Sequence, residues 1–331
     1  MSRYYELKGI FDERRYFKIV CGAGNEDPEE VRKLTVIYAL AGANCIDVSA
    51  NVKIVKSAVT GLKEAQGLAH RLGKKIRNRP FINISVGLKG DPHVRKVRII
   101  SSLCVECGDC RISCQQEAID EQFVVQEFRC IGCGDCINIC PNKAIESYDK
   151  RVDLKAILPK CLENGAETLE LHAVSIDDDA MLTDWKLLNS LIADNFISIC
   201  LDRALLSNAH LLDRIRQVHA ITGERLTIQA DGIPMSGNSD DFGSTLQGVA
   251  TAHVVKQSGI PVALVASGGT NSYTRQLAKL CGVDIHGVAV GTFARKIVKS
   301  LITQNEFDSN LELIGQAVSI AERLVSANVE A

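Results

Sequence analysis

Short runs of β-branched and aliphatic residues alternate with longer segments of helical period along most of this chain. The short runs fall at residues 17–22, 44–49, 80–88, 167–174, 196–203, 225–232, 261–269 and 286–292, and predict eight strands. Between them, residues 28–42, 61–75, 180–194, 210–222, 245–258 and 272–280 predict helices, with further helices at 152–164 and 311–325. Eight strand–helix repeats argue for a parallel sheet closed into a (β/α)8 TIM-like barrel, with a doubly wound open sheet as the alternative.

Within the strands the side chains separate onto two faces, because successive residues point to opposite sides. One face is aliphatic, as in Ile82, Ile84 and Val86 or Ile197, Ile199 and Leu201. The other is polar: Lys18; Cys45, Asp47 and Ser49; Asn83 and Ser85; Thr168, Glu170 and His172; Ser198, Cys200 and Asp202; Thr227, Gln229 and Asp231. A polar barrel interior must satisfy itself, hold water or bind a ligand. Two readings stand: a self-satisfied network, or a site at the mouth built from Asp47, His172, Asp202 and Asp231. These four are the catalytic candidates, without an assigned acid or base.

One connection is too long for a barrel loop, from Leu88 to Val152, and it holds eight of the 13 cysteines. They form two runs, Cys104, Cys107, Cys110 and Cys114, then Cys130, Cys133, Cys136 and Cys140 followed by Pro141. This spacing is that of a two-cluster bacterial-type ferredoxin module, in which the fourth cysteine of each run ligates the other 4Fe–4S cluster. One cluster is therefore assigned to Cys104, Cys107, Cys110 and Cys140, and the other to Cys130, Cys133, Cys136 and Cys114. The runs repeat at 26 residues, with Gly108/Gly134 and Ile119/Ile145 in register. They differ where Gln115 stands in place of Pro141. Lacking proline's fixed φ, the turn after Cys114 is less constrained, so its cluster is expected to be the more labile, open to a 3Fe–4S form. The expected division is residues 1–97 for the first part of the barrel, 98–150 for the ferredoxin insertion and 151–331 for the rest. An insertion after the third strand belongs on the catalytic face of a barrel.

Glycine turns follow the last two strands, at Gly268, Gly269 and Thr270 and at Gly291 and Thr292. Loops at these two places commonly hold phosphate groups, so FMN, a phosphorylated metabolite or a quinone is a candidate barrel ligand. The loop from Gly232 to Gly237, with Met235, is a candidate wall for it.

Composition narrows the function classes. With 331 residues, 46% apolar, and a net charge of −2, the chain can bury a large core and offers no basic surface for nucleic acid. Its opening stretch is too charged for a secretory signal, and no window is apolar enough to span a bilayer. A cytoplasmic, reducing location is expected, in which disulfides are not. The remaining cysteines, Cys21, Cys45, Cys161, Cys200 and Cys281, read as free thiols.

Several strings resemble the cyanobacterial light-dependent period family: residues 91–96 (DPHVRK), 233–237 (IPMSG), 267–271 (SGGTN), 17–23 (FKIVCGA) and 41–48 (AGANCIDV). The resemblance runs along nearly the whole chain. It implies an iron–sulfur redox sensor that relays the state of photosynthetic electron transport, linked to quinone, to clock or clock-input proteins. A flavin- or quinone-dependent oxidoreductase fed by the clusters is the alternative.

Overall fold

The computed structural model describes residues 2–22, 24–91, 94–232 and 241–329. Ten strands are present: β1 (Tyr16–Val20), β2 (Cys45–Ser49), β3 (Phe81–Gly87), β4 (Arg95–Ile99), β5 (Ile145–Asp149), β6 (Thr168–His172), β7 (Ile197–Leu201), β8 (Leu226–Asp231), β9 (Ala263–Ser267) and β10 (Gly287–Val290). Eight of them close into a barrel in the order β1-β10-β9-β8-β7-β6-β3-β2. Every pairing in it is parallel. The (β/α)8 expectation is met, and the open-sheet alternative is excluded by the β1–β10 pairing that seals the ring.

The aliphatic strand faces form the main core. Ile82, Ile84, Leu169, Leu171, Ile197, Ile199 and Ile228 are each 0–1% exposed and pack beneath the outer helices. Each buried side chain of this size contributes about 1.5–3 kcal/mol. Helix starts are capped where the chain supplies a short polar residue. Asp27 accepts from the amides of Glu29 and Glu30, with Pro28 at the first helical position. Asn51 accepts from the Lys53 amide, so that helix runs Val52–Ala69 and starts well before the expected residue 61.

Two parts of the fold were not anticipated. The first is an N-terminal helix, Arg3–Asp12, which buries Leu7, Ile10 and Phe11 in a cluster with Tyr16, Cys45, Phe81 and Phe196. Its Arg3 lies 3.6 Å over the Phe81 ring and donates to Glu167 at 2.8 Å, so the amino end of the barrel is covered. The second is the antiparallel pair β4 and β5, which joins Arg95–Ile99 to Ile145–Asp149 in register and gathers both ends of the cysteine region into one stem. That stem leaves the barrel after β3 and returns before β6, at the carboxyl ends of the strands.

Candidate functional site

The two cysteine runs fold alike. Each has a five-residue helix, Asp109–Ser113 or Asp135–Ile139, entered through a glycine, Gly108 or Gly134, at φ +88°. Cys104, Cys107, Cys110 and Cys140 line one cavity of about 330 Å³ with Phe123 and Ile145. Cys136 lies within electrostatic reach of Cys133, Cys130, Cys114 and Cys110. The cavity thus draws three thiols from one run and one from the other. Backbone amides point at the two crossing sulfurs, Ala144 N–H to Cys140 Sγ at 3.2 Å and Ala118 N–H to Cys114 Sγ at 3.3 Å. Burial first, then the neighbouring thiols, push Cys136 up to about 12, so positive metal is what would draw its proton off. Two quartets of sulfur donors, with amide hydrogen bonds to sulfur, fit iron–sulfur clusters.

The quartets differ in what surrounds them. Lys96, on β4, is buried, and its ammonium donates to the carbonyls of Gly24 at 2.8 Å, Glu127 at 2.9 Å and Cys130. Arg95 donates to the Gly132 carbonyl at 2.7 Å. Position 24 is tight: a Cβ there would stand 3.1 Å from the Cys130 carbonyl oxygen and 3.3 Å from Lys96 Nζ. The segment after Cys114 is held from the other side of the barrel mouth. Lys299 donates to the Gln115 carbonyl at 3.1 Å and pairs with Glu117 at 2.9 Å, and the buried Arg295 donates to Gln116 Oε1 at 3.0 Å. The barrel therefore grips the repeat at the turn where its two halves diverge in sequence.

At the top of the barrel lumen, His172 stands between two carboxylates. Its Nδ1 is 2.6 Å from Asp91, in the connection between β3 and β4, and its Nε2 is 3.2 Å from Asp231. Burial alone would favour the neutral ring, but the charges of Asp91 and Cys200 and the hydrogen bond with Asp231 hold its pKa well above the ordinary histidine value. Asp202 lies nearby: its Oδ1 accepts the Ala204 amide at 3.0 Å, while Oδ2 is buried without a partner among the described residues. Burial, then the Asp231 charge, raise its pKa.

Asp47 does not join them. It belongs to a network deeper in the lumen, where it accepts from Asn83 and from Ser85 at 2.6 Å and lies 3.9 Å from Lys18. Lys18 also pairs with Glu170, which accepts from Ser198 at 2.9 Å, and Thr168 donates to Asn83 at 2.8 Å. Half of the polar lumen is thus self-satisfied, and the mouth group of His172, Asp202 and Asp231 is distinct from it.

The first glycine turn is crowded by the protein's own atoms. Gly268 and Gly269 have φ +64° and +68°, and a Cβ on Gly268 would fall 1.8 Å from Asp231 Oδ1. Thr270 donates to the Ala289 carbonyl, tying the turn to β10. Gly291 is roomier, with Val20 Cβ at 3.5 Å, and Thr292 lies 3.5 Å from Arg295 Nη2. Of the loop proposed as a wall, residues 233–237, including Met235, lie outside the described residues. A cavity of about 580 Å³ separates the barrel from the stem, lined by Ser49, Ser85 and Gly87 below and by Val94, Lys96 and Lys150 above.

Sequence reasoning passed over Asp91 and Lys96. Asp91 precedes a proline and reads as a turn; Lys96 sits in a basic run that reads as a solvated edge.

A family model described as the light dependent period A C-terminal domain matches residues 160–327, and one for a 4Fe–4S binding domain matches residues 123–146. The curated protein "Light dependent period A" of Synechococcus elongatus is 31% identical, over 98% of this chain and 94% of its own length. This chain belongs to the light dependent period A family. Its membership covers barrel and cysteine module together, and the 4Fe–4S match makes it an iron–sulfur protein. Among solved structures, tryptophan synthase subunit alpha from Legionella pneumophila is similar over 98% of this chain and 99% of that one, at 10% identity and TM-score 0.47. An aldolase, QR15, is similar over 88% and 99%, at 10% identity and TM-score 0.45. At these scores the barrel rests on its own strand pairing.

Proposed function

We propose that this protein is a redox sensor with two 4Fe–4S clusters, one on Cys104, Cys107, Cys110 and Cys140 and the other on Cys130, Cys133, Cys136 and Cys114. It reports the state of photosynthetic electron transport, through the quinone pool or a carrier poised by it, to the clock-input pathway of a cyanobacterial cell. A bound 4Fe–4S cluster supplies one-electron exchange. The observation that carries the reading is the asymmetric grip: the second quartet is held by Lys96, Arg95, Arg295 and Lys299, and the first by none of these. A charge change at the second quartet acts on residues that also fix the barrel loops at Gly24 and Arg295. No turnover is required, and the output is the altered barrel surface read by a partner protein. The family name, light dependent period A, supports the pathway. Among the described residues no helix is long and apolar enough to cross a membrane, which is compatible with a cytoplasmic partner.

Amide hydrogen exchange of the anaerobic full chain, oxidised and dithionite-reduced, tests the reading. Reduction is expected to change exchange at residues 24–27, 114–117 and 295–299. Identical exchange in both states would overturn the sensor, and sustained quinone turnover would replace it with an oxidoreductase.

A further inference from the structure

The mouth of the barrel carries a donor set that the iron–sulfur module does not use. His172 on β6, Cys200 on β7 and Asp231 on β8 come from three consecutive strands, and one ligand atom of each lies within 4.8 Å of the others. All three side chains are buried, at 4%, 2% and 4% exposure. Asp202 Oδ2 nearby, on a residue 1% exposed, has no partner among the described residues, but it stands outside this group of donor atoms. Asp202 follows β7 directly and lies within electrostatic reach of Asp231 and His172. Among the described residues neither Asp202 nor Asp231 pairs with a lysine or arginine, and the one cationic group beside Asp231 is His172 itself, whose charge a metal ion on Nε2 would replace. Carboxylates buried this deeply are costly without a compensating cation.

The histidine is oriented as a ligand. Asp91 Oδ2 lies 2.6 Å from its Nδ1, which directs Nε2 toward Cys200 and Asp231. A carboxylate behind one ring nitrogen, with the other facing the donors, is the arrangement that fixes the tautomer of a metal-bound histidine. The 3.2 Å between Nε2 and Asp231 Oδ2 is close to the ligand–ligand edge of about 3.5 Å that zinc bond lengths give in a tetrahedron. Calcium and magnesium prefer all-oxygen shells, whereas a mixed nitrogen, thiolate and carboxylate set suits zinc.

We infer that His172 Nε2, Cys200 Sγ and Asp231 form a binding site for one Zn2+ ion at the barrel mouth, separate from the iron–sulfur cysteines, with Asp91 as the positioning residue behind His172 and the fourth position left to water. Because Asp91 lies in the connection from β3 to the stem and its carbonyl accepts from the Arg95 amide at 3.1 Å, the ion ties the base of the insertion to the barrel. Zinc site and cluster module then share one mechanical connection.

The test is zinc binding by the anaerobically purified full chain with its clusters in place. After dialysis against buffered Zn2+, the wild type is expected to retain one zinc per chain. The Cys200→Ser, Asp231→Asn double variant should bind at least about 100-fold more weakly, and Asp91→Asn about 10- to 100-fold more weakly, with iron and sulfide contents unchanged. Zinc K-edge absorption on the wild type gives a reading that does not depend on a variant folding. One sulfur at about 2.3 Å with nitrogen and oxygen at about 2.0–2.2 Å is expected. A four-sulfur shell would mean zinc in the cluster cysteines and would overturn the site, as would no retained zinc or an undiminished affinity in the double variant.

Discussion

The two cysteine quartets share one local fold and meet different worlds. Cys104, Cys107, Cys110 and Cys140 share a cavity lined only by residues of the module, Ile99 and Ile145 among them. Cys107 is exposed, and so are Leu103, Val105, Ile112 and Ile139 around this half. Cys130, Cys133, Cys136 and Cys114 instead sit against barrel loops, with Lys96, Arg95, Arg295 and Lys299 holding the backbone beside them. Internal duplication has therefore produced one outward and one inward quartet, and in the proposed sensor the outward one would exchange electrons with a soluble carrier while the inward one informs the barrel. Identical ligands and distinct neighbours are enough for a division of labour, because potential and reactivity are tuned by charge, hydrogen bonding and exposure.

The largest expected effect comes from removing one quartet at a time. Cys133→Ser and Cys107→Ser should each lower iron and sulfide by about half, one of two clusters. Only Cys133→Ser should also abolish the redox-dependent exchange at residues 295–299; equal loss in both variants would erase the proposed division. Next, Lys96→Met removes a positive charge next to Cys130. The midpoint of the inward quartet should fall by on the order of 60 mV, about 1.4 kcal/mol for one electron, while the outward midpoint stays put in an EPR-monitored titration. A smaller effect is expected from Gln115→Pro. Proline keeps the carbonyl that Lys299 holds but stiffens the turn, so oxygen should bleach the inward signal a few-fold more slowly; unchanged kinetics would mean that the turn does not govern lability. The smallest effect on the clusters should come from Phe11→Ala, at the far end of the barrel. It should cost about 3–5 kcal/mol in thermal unfolding and leave both EPR signals as they are.

Much of this was legible in the chain. The barrel strands were readable because they are short and apolar, most with an inner polar and outer aliphatic face, as in Ile82–Asn83–Ile84–Ser85. The cysteine spacing carried its chemistry in one dimension. What could not be read is contact between distant segments. Asp91 and His172 are 81 positions apart, and nothing local to either announces the other. Lys96 lies in Arg95-Lys96-Val97-Arg98, where alternation places Lys96 and Arg98 on the same face, yet Lys96 is buried and Arg98 is exposed. The stem's register decides that, not its composition. The helix Arg3–Asp12 was overlooked because its charged residues mask the apolar stripe of Leu7, Ile10 and Phe11. Asp47 looked like a member of the mouth site until the network showed its acceptors filled by Asn83 and Ser85.

That covered end has a further consequence. With Phe11, Tyr16, Phe81 and Phe196 packed across it, that end keeps a narrow recess that reaches Lys18, Asn83 and Gln229, while His172, at the carboxyl end of its strand, lies toward the cysteine module. Water beside Gln229 and an ion arriving at His172 therefore approach from opposite ends of the lumen. In the proposed sensor, a change in how tightly the module sits would be felt around His172 as a change in exchange time before it was felt as a change in shape.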